Sequence, residues 1–224
     1  SENIFDFNID KKFKISDLNI KSKIILHDGL LSYKIHALKN IISDFDGDVK
    51  ILDHKIDVEY NNKLKIQGTG KFQLNDKTDQ ISYNSISENG KILCDLNILF
   101  AETPLKIDII NYKKNKDLNA QLKINGNYNK KFGLNLKKIS LLSKNNSLIA
   151  NDLKIDKNNK LSKVDKIDLD YFDNDNLRNK YVLSRVKNNN YEVKGSLLNA
   201  DTIITNMLES KDDRQLDTFK ENIN

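Results

Sequence analysis

The chain has 224 residues, 38% hydrophobic and 31% charged, enough for one large β domain or two small ones and too periodic in its apolar residues to be disordered. The net charge is +5 and the isoelectric point about 9.0. That charge is almost all Lys interleaved with Asp and Glu, and only Arg178, Arg185 and Arg214 carry guanidinium forks, so the balance argues against a nucleic-acid reader and for solvated strand faces.

The first elements are short alternating strands. Phe5, Phe7 and Ile9 alternate, then Phe13 and Ile15, then Leu18 and Ile20. "LLSYKIHAL" fits a strand through Leu31, Tyr33, Ile35 and Ala37, or a helix through Leu31, Ile35, Leu38 and Ile42; Tyr33 favours the strand. "DFDGDVKILDHKIDVEYNNKLKIQGTGKFQL" reads as consecutive strands, with turns at Asp46-Gly47 and Asn61-Asn62. Gly68 and Gly70 interrupt the inward row from Leu64 to Leu74 and mark a bend, or a place where something comes close to the backbone. "KILCDLNILF", "PLKIDIINY", "LNAQLKING", "KFGLNLKKISLL", "NSLIANDLKID", "VDKIDLDYF", "KYVLSRV" and "YEVKGSLL" follow, separated by polar turns. The expected fold is all-β, a long curled antiparallel meander, with one short helix near residues 201–209. There, Ile203, Ile204, Met207 and Leu208 take helical spacing behind a cap at Asp201. Residues 1–209 form the β unit, and 210–224 form a polar linker or lead into a following unit.

Groups that carry chemistry are sparse. His27, His36 and His54 are scattered and Cys94 is the single cysteine, so no spacing suits a metal site and no intrachain disulfide is expected. "DFDGD" lacks the closing glutamate of a calcium loop, and "FDNDN" around Asp173 reads as a turn. The sequon Asn145-Asn146-Ser147 falls in another turn. No phosphate loop or nucleophile elbow is present, and the carboxylates alternate with lysines on outer faces. No enzyme and no cofactor is expected. The chain has no Trp and its apolar set is mostly Ile and Leu, which offers few rings for stacking on bases or sugars. No apolar run approaches the ~20 residues of a membrane helix, and "SENIFDFNID" lacks the basic start and apolar core of a signal peptide. The pattern stops without a closing feature, so the expectation is a segment of a longer protein.

"YEVKGSLLNADTIITNML", from Tyr191 to Leu208, runs from strand through glycine into a turn and helix. With "KLKIQGTGKFQL" and "KLSKVDKIDLDYF" upstream, it resembles the AsmA-like group of bacterial envelope proteins, the YhdP–TamB group. In that group a strand of the form Y-x-V-x-G leads into a small helix. This chain departs from the pattern at Leu198-Asn199, where an acidic residue is common. The resemblance covers most of the chain in pattern and residues 181–208 in motif. It implies a curled sheet with an apolar trough that conducts phospholipid between inner and outer membranes. It also implies periplasmic location and an inner-membrane anchor outside this segment. The rows expected to line the trough are Leu64, Ile66, Phe72 and Leu74; Leu105, Ile107 and Ile109; Leu118, Leu122 and Ile124; Phe132, Leu134 and Leu136; Ile167 and Leu169; Val193 and Leu197. The alternative, from periodicity alone, is a structural β-scaffold or adhesion stalk whose core is closed, because both outcomes put alternate residues on one apolar face.

Overall fold

The computed structural model describes residues 1–31, 42, 48–115, 117–158, 160–187 and 190–199. The strands are β1 (Glu2–Ile9), β2 (Ile15–Leu31), β3 (Val49–Asn61), β4 (Lys63–Leu74), β5 (Lys77–Glu88) and β6 (Lys91–Phe100). The short β7 (Leu105–Ile107) and β8 (Tyr112–Lys114) come next, then β9 (Ala120–Asn129), β10 (Gly133–Ser143) and β11 (Asn146–Ile155). β12 (Leu161–Lys163), β13 (Lys166–Phe172), β14 (Arg178–Arg185) and β15 (Tyr191–Leu197) are the remaining strands among the described residues. The protein is all-β. Thirteen strands form one antiparallel sheet in the order β1-β2-β3-β4-β5-β6-β9-β10-β11-β13-β14-β15, with β12 beside β11. The sheet is not closed into a barrel, because β1 and β15 stand at opposite ends of the strand order. Residues 201–209, expected to be helical, the 210–224 linker, and most of "LLSYKIHAL" lie outside the described residues.

Each strand alternates apolar and polar residues, so antiparallel pairing in register gathers the apolar set on one face. Two devices keep that face continuous where strict alternation fails. In β3, Asp53 takes the left-handed conformation (φ 52) and the register shifts between Leu52 and Lys55; Val49 and Ile51 before the bulge, and Ile56 and Val58 after it, then share a face. In β10, the register against β9 shifts between Leu136 and Lys138. Leu134 and Leu136 therefore lie on the same face as Ile139 and Leu141. Its neighbour β11 carries left-handed Asp152 (φ 51) beside that bulge and keeps pace with it.

β7 and β8 are the exception to the meander. Among the named strands they pair only with each other, Leu105 also making an isolated antiparallel bridge with Ile42, and they are joined by a single 3₁₀ turn, Asp108–Ile110, that ends at left-handed Asn111. The "PLKIDIINY" segment, expected as a further strand of the sheet, is a separate hairpin. It packs over the apolar face at one end of the strands. Leu105 and Tyr112 join Phe72, Leu74, Phe100, Ala120, Leu141, Leu148, Tyr171 and Tyr181 in one buried cluster. Phe72 meets Phe100 edge-on with centroids 6.1 Å apart, and Tyr112 meets Tyr171 edge-on at 6.0 Å.

Candidate functional site

The apolar face is organised as rows that run across the strands. The longest starts at Ile24 on β2 and passes Ile56, Gly68 and Tyr83 to Leu96 on β6. It continues through Ile124, Ile139 and Ala150 to Ile167, Leu183 and Val193 on β15. Eleven strands thus contribute eleven consecutive positions without a charged side chain. Its aliphatic members are half-buried or exposed, so the chain itself leaves them partly uncovered.

The parallel row one step toward the hairpin is more fully covered, with Leu141, Leu148 and Tyr181 buried and Ile81, Ile98, Leu122 and Leu169 packed against the core cluster. It runs from Gly70 through Ile81, Ile98, Leu122, Leu141, Leu148 and Leu169 to Tyr181. The hairpin lies over it as a strap tied at both ends. At one end Asp79 of β5, only 1% exposed, accepts the backbone N–H groups of Ala101, Glu102 and Thr103 at 2.6, 2.9 and 3.3 Å. Lys114 donates from Nζ to the carbonyls of Thr103 (2.8 Å) and Ala101 (3.4 Å). Burial pushes this ammonium's pKa down, while Asp79 and Asp117 pull it back up. At the other end the Tyr171 hydroxyl donates to the Ile110 carbonyl at 2.8 Å. The Asn174 N–H donates to the Asn111 carbonyl, also at 2.8 Å. Burial drives the Tyr171 pKa well above the usual phenol range, so the hydroxyl stays a donor.

No family model, curated protein or solved structure matches the chain. What the site can do is therefore read from its own geometry.

The residues expected to line a trough divide into three groups. Leu64, Ile66, Phe72 and Leu74 on β4, Leu122 and Ile124 on β9, Leu134 and Leu136 on β10, Ile167 and Leu169 on β13, and Val193 and Leu197 on β15 lie in strands of the large sheet. Of these, Phe72, Leu74, Leu122 and Leu169 belong to or pack against the buried cluster. Leu105 and Ile107 sit in the hairpin and cover the face instead of lining it, and Ile109 is exposed in its turn. Leu118 and Phe132 are in turns. The Leu118 N–H bonds back to Asn115 and the Phe132 N–H to Asn129, which leaves Phe132 72% exposed. For Ile109, Leu118 and Phe132 the alternation that carried them into the expected rows continued past the ends of the strands, whereas Leu105 and Ile107 belong to a strand of the separate hairpin.

Sequence reasoning missed Ile139, Leu96 and Leu183. Leu96 and Leu183 were legible from alternation in "KILCDLNI" and "KYVLSRV", whereas Ile139 changes parity at the β10 bulge. It also missed a polar pair within the face. His54, 4% exposed, places Nε2 3.0 Å from the Lys71 carbonyl and Nδ1 3.4 Å from the Tyr83 hydroxyl. Cys94 lies on the same face. Burial first, and Asp95 beside it, raise the pKa of its thiol, which makes it a poor nucleophile. Among the described residues no group of three His, Cys, Asp or Glu is placed to hold a metal ion. The opposite face is polar, and hollows of about 710, 400 and 250 Å³ lie on it.

Proposed function

We propose that this chain is a lipid-carrying segment of an AsmA-like envelope protein, in which acyl chains lie against the apolar sheet face and move along it. The observation that carries this reading is the uncharged row from Ile24 to Val193, which crosses eleven strands and whose aliphatic side chains are half-buried or exposed. An acyl chain needs a dry aliphatic surface and no polar specificity, and gains roughly 0.8 kcal/mol for each CH₂ it buries. Because the row repeats similar side chains from strand to strand, neighbouring positions have similar affinity, and a tail can pass between them without a deep well. Its head group stays in water at the rim. The resemblance of the closing strand and its successor to AsmA-like units supports a periplasmic setting, an anchor in the inner membrane, and phospholipid as cargo. The filled core under the hairpin favours a second reading, a β-scaffold or stalk without a ligand.

Photo-crosslinking in cells separates the two. A photoreactive residue at Ile66, Leu96 or Ile124 is expected to give phospholipid adducts, and one at Lys65 or Lys91 on the polar face is not. Adducts equally frequent on both faces, or absent from all three apolar positions, would refute lipid carriage and leave the scaffold.

A further inference from the structure

The polar face holds a second candidate site, independent of the lipid reading. Lys55, Thr69, Ser82, Asn97, Lys123 and Ser140 are direct cross-strand partners in succession from β3 to β10. A second polar row beside it contains Asp57, Asp95 and Lys138 and is equally in register. Together the rows floor the 710 Å³ hollow, a size that suits a small ligand. An adjoining hollow of about 400 Å³ shares Lys55, Thr69, Ser82 and Asn97, so the space is elongated.

Two observations give the hollow a chemistry. First, its lysines are unspent. Elsewhere on this face Lys65 pairs with Glu59, Lys71 with Asp53, Lys166 with Asp168 and Lys180 with Asp170. Lys55, Lys123 and Lys138 make no ion pair among the described residues. Second, the centre of the row has an unmet acceptor. Asn97 donates to the Ser82 hydroxyl at 3.4 Å, but its own Oδ1 is buried without a partner, a state that is destabilising until a donor arrives. Ser140, 4% exposed, adds a hydroxyl at one margin, while Asp57 and Asp95 offer carboxylate acceptors. No aromatic side chain projects from either row, and Tyr83, which borders the hollow between them, has its ring beside His54 and Gly68.

A ligand that satisfies these groups carries negative charge, to meet the ammonium groups, and several hydroxyl donors, to meet Asn97 and the carboxylates. It is also extended, because Lys55 and Lys123 are four strand spacings apart, about 19 Å along the sheet. We infer that the hollow binds an acidic oligosaccharide of the hexuronate type, laid across β3 to β10 and held by charge and hydrogen bonds.

The test is calorimetric titration of the 224-residue chain with tetragalacturonate, with maltotetraose and inorganic phosphate as comparisons. Tetragalacturonate is expected to saturate a single site, and the double variant Lys123→Gln/Lys138→Gln to bind it about tenfold more weakly or worse with an unchanged urea midpoint. Lys166→Gln, which removes a paired lysine outside the hollow, is expected to bind as the parent does. Maltotetraose, which lacks the charge, is expected to bind at least about tenfold more weakly than tetragalacturonate. The inference is overturned by any one of three results: no saturable binding up to about 10 mM, equal losses in the double variant and Lys166→Gln, or phosphate competing as well as the oligosaccharide.

Discussion

Gly68 and Gly70 show how one residue type can serve its neighbours. A Cβ on Gly70 would stand well inside 3.0 Å of three ring atoms of His54, and one on Gly68 would lie 2.5 Å from the Tyr83 hydroxyl oxygen. The two rings, with centroids 6.0 Å apart, occupy the space that side chains on β4 would otherwise take. The sequence marked this as a place of close approach. It did not reveal that the approaching groups are side chains of β3 and β5, since strand pairing decides that. Gly70→Ala is expected to cost about 1–3 kcal/mol by overpacking, and His54→Ala to recover much of it in the double variant. Urea unfolding of the four proteins measures that coupling.

Asp173 organises the β13–β14 turn in a different way. Burial opposes its charge. Hydrogen bonds from the side chains of Asn199 and Asn179 and from the N–H groups of Leu177 and Asp175 outweigh that penalty and hold its pKa below the ordinary carboxylate value. Because the folded pKa is depressed, the stabilisation is fully present above the unfolded value near 4 and is lost as pH falls through the folded one. Asp173→Asn is expected to be less stable than the parent by about 1–3 kcal/mol at pH 7, with the gap narrowing below about pH 4. Thermal unfolding from pH 2 to 7 is the measurement. The "FDNDN" turn itself was legible from composition, whereas the reach of its carboxylate to Asn199, past all of β14 and β15, was not.

At the scale of elements, the strap formed by β7 and β8 decides how the apolar face is used. Its alternation of Leu105, Ile107 and Ile109 matches that of the sheet strands, and period alone does not say which sheet a strand joins. The diverting groups are Asp79, which turns the chain at residues 101–103, and Asn111, which reverses it. Asp79→Ala leaves three backbone donors without their acceptor and is expected to cost about 3 kcal/mol. Amide exchange should then quicken across residues 101–115 more than in β9 or β10. Uniform acceleration across the sheet would mean that Asp79 supports the whole fold and does not specifically moor the strap. The β3 and β10 bulges were likewise hidden in the sequence, because a parity change in an Ile- and Leu-rich chain resembles ordinary noise in the alternation.

For the whole molecule, the antiparallel meander and its all-β character followed from short alternating strands divided by polar turns, and the structure has that architecture. The rows did not follow, on either face. They run at right angles to the chain, and each brings together residues as distant as Ile24 and Val193, so they exist only once the register of every pair is set. The same register that aligns aliphatic side chains on one face aligns amides, hydroxyls and lysines on the other, and a one-residue slip anywhere would break both rows.

The strap's direction has a further consequence. It stretches from β5 to β13 along the strand ends, parallel to the uncharged row, so it forms a side wall and not a dam. A guest stepping from β2 towards β15 would travel beside it for its full length. The span between Asp79 and Tyr171 would then set how long that wall is, and the gap between the strap and the uncharged row how broad a guest it admits, while the distance the guest travels is left to the number of strands.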